Sequence, residues 1–195
     1  MKYSNYVELL KEFLNEDRFN HSLCVARQAE NLANKYGADA NKAYLAGLLH
    51  DITKNKSTNE HLRILNEFGI ILTDADKSPN LLHAISGSAY LKFTLKISDN
   101  DIINAVRYHT TGRANMSLFE KIIYLADFTS EDRNYKDIDI MRKLADTDID
   151  KAMLYSLTYT INKLTSLKTS IHPDTVDAYN EIVIKHKQES NWFEF

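Results

Sequence analysis

The chain has 195 residues, 44% of them apolar, and a net charge of -3 in which 24 basic and 27 acidic side chains are interspersed. That is enough apolar material for one domain around one core, and the absence of a basic tail or acidic block excludes a general nucleic-acid binder. The single cysteine, Cys24, rules out an internal disulfide and fits a reducing compartment; the charged start MKYSNYVELLKEFLNEDRF is no secretory signal, and no apolar run is long enough to span a bilayer, so a cytoplasmic protein is expected.

The predicted elements are all helices. Glycine (5) and proline (2) are scarce, which disfavours strand-and-turn folds. A short helix is expected over about 3–15 and a second over about 17–36, stopped by Gly37 in a left-handed cap. Asp39 opens a third. STNE at 57–60 is a capping-box pattern, and its helix ends at Gly69. Pro79 suits the first turn of a helix reaching about Lys96. SDND at 98–101 opens one ending near Gly112, and SLFE at 117–120 opens the next. A short helix from Asp137 to about Leu144, a longer one from Asp148 to about Leu167 and a last one from Pro173 complete the row. Apolar residues recur at three- and four-residue intervals, as at Leu118, Ile122, Leu125 and Ala126. The fold class is all-α: a single domain over 1–195, its core motifs within about 18–133 and its C-terminal helices (about 137–188) packed on them.

Four of the seven histidines sit beside residues that ought to be buried: His21 in RFNHSLCVA, His50 after AGLL, His83 in LLHAISG and His109 at the end of IINAVRYH. Asp51 follows His50 directly, and Asp127 follows IIYLA. A lone histidine on an apolar helix face is more often a hydrogen-bonded core residue than a ligand, and an aspartate near a helix end is usually a cap. Burying all of these groups together is different, because each needs a partner. Six groups from five helices could satisfy one another around one divalent cation. Neutral imidazole and carboxylate suit iron, manganese, cobalt, nickel or zinc. No HExxH spacing is present, so the site must be assembled from distant segments.

The order H…HD…D on consecutive helices resembles the HD superfamily of metal-dependent phosphohydrolases. More closely, RFNHSLCVA, AGLLHDITK, LLHAISGSAY, AVRYHTTG, IIYLADFTSEDR and IHPDTVDAYN, in that order and over almost the whole chain, resemble the YqeK family. The resemblance implies symmetrical hydrolysis of diadenosine tetraphosphate to two ADP with iron in the active site. It implies that His21, His50, Asp51 and Asp127 hold the metal, and that His83 and His109 hold a second metal or face phosphate. HTTGRANMS lacks the longer glycine-rich signature of GYP-type HD phosphodiesterases, against a cyclic dinucleotide substrate.

A dinucleoside polyphosphate or ADP-like nucleotide needs more than a metal to hold it. Lys54 lies one turn beyond His50, and Arg18 lies three residues before His21 on the same face. Thr110, Thr111 and Gly112 follow His109 where a helix ends, offering hydroxyls and amides. By resemblance Arg133 is the arginine beyond the ADY-type motif, although TSEDR replaces a loop that often carries proline. In HPDT, Pro173 and Asp174 suit a helix start, while the resemblance points to a nucleotide contact for Thr175 and, less directly, His172 and Asp174. For the chemistry, Asp51 is best placed to orient a nucleophilic water, with His83, His109 and Lys54 stabilising negative charge. Arg107, Arg113, Lys56, His61 and His186 are expected at the surface. Cys24 is expected to pack in the core. The apolar ending NWFEF could cover the core or join two copies of the chain. The competing functions are another HD phosphohydrolase (a nucleotidase, a dNTP or an alarmone hydrolase), a non-catalytic nucleotide sensor, or a purely structural helical domain.

Overall fold

The computed structural model describes residues 3–188 and Trp192. They form α1 (Ser4–Phe13), α2 (Glu16–Tyr36), α3 (Ala40–Leu49), α4 (Thr58–Glu67), α5 (Pro79–Phe93), α6 (Asn100–Tyr108), α7 (Leu118–Thr129), α8 (Ile138–Thr147), α9 (Ile149–Ser166) and α10 (Pro173–Lys185). A one-turn 3-10 helix, Ala75–Lys77, precedes α5, and no strand occurs among the described residues. No helix among them is long and apolar enough to cross a membrane.

Local chemistry sets the helix ends. The Asn15 side chain accepts from the Arg18 amide to start α2, and Gly37 at φ 73° ends it. Ser57 with Glu60, and Ser117 with Glu120, form complete capping boxes at α4 and α7. Three ends differ from expectation. α5 stops at Phe93 rather than Lys96, because Lys96 takes a left-handed φ of 55°. α6 stops at Tyr108, and the chain turns through His109–Thr111 to Gly112 at φ 65°. α8 continues three residues past Leu144, and Asp137 before it is left-handed without a capping bond.

Packing then brings the chemistry-bearing helices together. α2 lies against α3, and both lie against α7. The contact is close because it is lined by small residues: Ala26, Ala29 and Ala33 on α2, Ala43 and Ala46 on α3. At Gly47 a Cβ would sit 2.9 Å from Ala26 Cα and 2.9 Å from the Val25 carbonyl oxygen, so only glycine permits this approach. α7 crosses the middle with Ile122, Ile123, Leu125 and Ala126 fully buried between α2, α6, α8 and α9. A smaller cluster, Ile64, Leu65, Leu82, Ile85 and Ala89, packs α4 on α5 under the stacked rings of Phe68 and Phe93.

Several side chains expected at the surface are placed otherwise. His61 is buried, its Nδ1 2.7 Å from Ser86 Oγ, because the α4–α5 contact covers it. Arg113 forms a two-point ion pair with buried Glu120 (2.8 and 3.0 Å), and Arg107 donates to Asp76 at 2.9 Å. Lys56 lies 4.2 Å over the Phe13 ring. His186 stacks on Trp192 with ring centroids 3.7 Å apart. Of the NWFEF ending only Trp192 is within the described residues. Cys24 is half-buried, not in the core, and its sulfur accepts from Arg27 at 3.3 Å; burial raises its pKa.

Candidate metal centre and substrate cavity

The α2–α3 contact sets His21 beside His50, ring centroids 5.3 Å apart. The end of α6 brings His109 to 5.0 Å from His50, and α5 brings His83 to 5.1 Å from His109. Asp51 directly follows His50, and Asp127 comes from the last turn of α7. His50 and Asp127 each lie beside both neighbours: His21 Nε2 is 2.9 Å and His50 Nε2 3.9 Å from Asp127 Oδ1. Asp51 faces the others, with Oδ2 3.5 Å from His50 Nε2 and Oδ1 3.5 Å from His109 Nε2. Six groups scattered over the sequence thus meet in one buried pocket.

The far nitrogens of three rings decide what the near ones can do. His50 Nδ1 donates to the Gly47 carbonyl at 2.7 Å, and His109 Nδ1 donates to the Val106 carbonyl at 2.8 Å. His21 Nδ1 donates to Asp132 Oδ2 at 2.7 Å. A carbonyl cannot donate, so His50 and His109 carry the proton on Nδ1 and present an Nε2 lone pair to the centre, while His21 stands between two carboxylates, Asp132 Oδ2 at Nδ1 and Asp127 Oδ1 2.9 Å from Nε2. Holding a ring in this tautomer is how proteins prepare histidine for a metal. Asp132 was not flagged by the sequence; lying five residues after Asp127 in a loop, it carried no periodic or adjacent-pair signal.

Lone pairs and carboxylates turned towards one another repel unless a cation lies among them. Buried His50 Nε2 and Asp51 Oδ1 both lack a hydrogen-bond partner. Two sets have ligand atoms all within 4.8 Å of one another: His21, His50 and Asp127; and His50, Asp51 and His109. The donor set fits a divalent transition metal. His83 stands in neither set. Its Nε2 is 3.1 Å from Asp51 Oδ1 and 3.1 Å from His109 Nε2, while the Lys54 ammonium lies 3.3 and 3.2 Å from its two ring nitrogens. Since His109 Nε2 is a lone pair, His83 Nε2 carries the proton and its Nδ1 can accept from Lys54.

Positive charge surrounds the two carboxylates. Burial alone would raise the Asp51 pKa; the His50 ring, with His109 and His83 close around it, holds it well below the ordinary value. Burial also opposes ionisation of Asp127, and Arg133, which pairs with it, outweighs that, helped by His21 and His50. Arg18 Nη1 meets Asp51 Oδ2 at 3.0 Å. Burial pushes the Lys54 ammonium down against the pull of Asp51, and burial pushes His83 down to about 4.

A cavity of about 680 Å³ opens from this centre. Its inner wall includes His109, Thr110, Asp127, Asp132 and Arg133. Its outer wall is a stripe of α9, Tyr159, Thr160, Lys163, Leu164 and Leu167, with Ile171 and His172 beyond it. The stripe recurs at three- and four-residue intervals over about 12 Å of helix. Tyr135 and Tyr159 stand 5.3 Å apart, tilted by 36°. Thr110 Oγ1 is buried at the cavity and unpartnered. Thr111 and Thr175 also line the cavity, with their hydroxyls bonded within the fold. Thr111 Oγ1 donates to the Gly112 carbonyl, and Thr175 Oγ1 donates to the Thr111 carbonyl at 2.9 Å. Gly112 turns towards Ala178, Met116 and Leu157 rather than the cavity, as its left-handed backbone requires. His172 lines the cavity, but its Nδ1 caps α10 by accepting from the Asp174 amide at 3.1 Å, and Asp174 lies outside the lining.

Comparison with known proteins agrees with this arrangement. Residues 18–132 match the family model of the HD domain. A symmetrical bis(5'-nucleosyl)-tetraphosphatase of Halalkalibacterium halodurans is 38% identical over 190 residues, covering 96% of this chain and 100% of that one. The protein of the same name from Bacillus subtilis is 36% identical over 174 residues, 89% of this chain and 94% of that one. A crystal structure described as a predicted HD superfamily hydrolase involved in NAD metabolism, from Clostridium acetobutylicum, superposes with a TM-score of 0.91 at 38% identity, covering 94% and 97% of the two chains. With its H…HD…D residues gathered on one buried pocket and these likenesses running nearly end to end, the chain belongs to the HD-domain family and, within it, to the family of the symmetrical bis(5'-nucleosyl)-tetraphosphatases.

Proposed function

We propose that the protein hydrolyses diadenosine tetraphosphate symmetrically to two ADP, with a divalent metal held by His21, His50, Asp51 and Asp127. The carrying observation is the convergence of the His21, His50 and His109 rings with two carboxylates at the inner end of a cavity large enough for a nucleotide. Iron is the proposed metal and the cytoplasm the proposed compartment, consistent with the ligand chemistry and with the single cysteine. When bound, such a cation supplies Lewis acidity to a phosphoryl oxygen and lowers the pKa of a water ligand.

The chain's own groups do the rest. Asp51 Oδ1 accepts a hydrogen bond from the nucleophilic water and orients it. His83, neutral and donating through Nε2, and the Lys54 ammonium behind it stabilise charge developing on the attacked phosphoryl group. Arg18 and Arg133, which pair with Asp51 and Asp127, flank the path of a polyphosphate. The Thr110 hydroxyl offers a further donor beside His109. Water's oxygen bonds to the second phosphorus from one adenosine as the bond from that phosphorus to the bridging oxygen breaks; the bridging oxygen leaves with the third phosphorus as ADP, water's proton is released to solvent, and the attacked half is the second ADP. The closeness of His109 to His50 and Asp51 supports a place for it among the metal ligands, and the Lys54 ammonium beside His83 supports an anion-facing role for that ring.

Chromatography of the products decides the reading. Incubation of metal-replete protein with diadenosine tetraphosphate is expected to release ADP alone. ATP plus AMP, or turnover confined to dNTPs, nucleoside monophosphates or ppGpp, overturns it; tight ADP binding with no turnover would make the protein a sensor. Elemental analysis of the same preparation identifies the metal.

A further inference from the structure

We infer that Asp76 is a positioning residue of the substrate cavity: a buried carboxylate that ties together three segments walling the nucleotide site, an inference that rests on the proposed function for the nature of the ligand. Asp76 sits in the 3-10 helix Ala75–Lys77 and is 7% exposed, yet it does not itself line the cavity. Its Oδ2 accepts from the Thr73 amide at 3.0 Å and the Thr73 hydroxyl at 2.7 Å, which fixes the turn. Its Oδ1 accepts from Arg107 Nη2 at 2.9 Å, two residues before His109. The same Oδ1 lies 3.5 Å from His172 Nε2.

His172 is tautomerically committed. Its Nδ1 accepts the Asp174 amide, so its Nε2 carries a proton in the neutral ring, and that buried Nε2 has no hydrogen-bond partner. A shift of about half an ångström would bring it into bonding range of Asp76 Oδ1. The three segments joined here are walls of one cavity. Ala75 and Ser78 flank Asp76 on one side; Thr169, Ser170 and Ile171 precede His172 on the other; His109 and Thr110 follow Arg107 between them. A single carboxylate therefore sets the spacing between the inner, reacting end and the outer wall.

Geometry of this kind acts on ligand binding rather than on the chemical step. In the full-length, metal-loaded protein, Asp76→Asn is expected to weaken ADP binding and raise KM for diadenosine tetraphosphate by about five- to twentyfold, with kcat within about twofold and metal content unchanged. His172→Asn keeps a residue able to cap α10 but shortens the reach to Asp76; KM should rise by about two- to fivefold. Because both variants break the same link, their combination should fall short of the product of the two effects. Unchanged ADP affinity and KM beside a lowered thermal midpoint would show Asp76 to be merely structural and overturn the inference. So would multiplicative effects in the double variant, or loss of kcat together with loss of metal. If Asp76→Asn does not fold, an unchanged KM in His172→Asn overturns it. Wild-type turnover reports separately on the proposed reaction, and ADP titration tests the clasp even where that turnover fails.

Discussion

The inner and outer ends of the cavity are built on opposite principles. At the inner end His50, Asp51 and His109 are almost completely buried, the His21, His50 and His109 rings have their Nδ1 tied to fixed acceptors, and the supporting helices meet through alanine and Gly47. At the outer end Lys163, Leu167, Thr169 and Ser170 are exposed, Leu167 at 62%, and belong to a region beyond the HD-domain match. Buried polar groups survive only when all are satisfied, so the inner end tolerates one arrangement. Exposed side chains carry no such constraint, and the outer end can be varied with little cost to stability. The contrast separates a buried cluster of imidazoles and carboxylates from an exposed and adaptable rim.

The largest effects should come from the inner end. Under the proposed function Asp51→Ala removes a metal ligand and the water's orienting oxygen; turnover should fall by about three orders of magnitude or more, with metal content lost in elemental analysis. Retained activity with full metal would place the chemistry elsewhere. Asp132→Ala removes only the acceptor behind His21, and metal affinity should weaken by about 10- to 100-fold in a chelator competition while helicity by circular dichroism is unchanged. Unaltered affinity would mean His21 needs no partner.

Outer-end changes should be smaller and different in kind. Lys163→Ala takes a cation from the α9 stripe, so KM should rise by about two- to fivefold, the difference shrinking as salt is added, with metal affinity untouched. A loss of metal in this variant would erase the contrast between the two ends. The mildest test concerns the joint between α9 and its neighbours. Burial would raise the Asp150 pKa, but Lys121 at 2.7 Å and Lys185 at 2.5 Å bring it down to about 2. A carboxyl depressed in the folded state stabilises above its unfolded pKa, 3.8, and that contribution is lost as pH falls from about 4 to 2. With Lys185 largely exposed, on the order of 1 kcal/mol is at stake. Asp150→Asn should therefore lower the thermal midpoint at pH 7 and converge on wild type near pH 2; an equal deficit at both pH values would point to lost packing instead.

Helix ends were legible because they are local. Gly37, the Ser57–Glu60 and Ser117–Glu120 boxes, Pro79 and Pro173 each act on backbone within one turn, and each stands where its pattern predicts. The clustered histidines and aspartates were legible for another reason: imidazoles and carboxylates beside apolar runs are too costly to bury singly. What escaped were the partners. Asp132, the Asp76–Arg107–His172 cluster and the burial of His61 depend on contacts between residues 25 to 111 positions apart, for which no spacing in the chain gives a signal. Of the residues after His109, Thr110 and Thr111 line the cavity, whereas Gly112 packs against Ala178, Met116 and Leu157.

Sequence alone therefore determined an all-helical chain and the kinds of group that must gather, because capping and the cost of burying charge operate at short range. Tertiary structure decided which nitrogen of His50 and His109 faces the centre, that His109 stands with His50 and Asp51 while His83 lies beside Lys54, and that the C-terminal helices complete the cavity. Those outcomes depend on distances between helices, which are set only when the small-residue faces of α2 and α3 close on each other.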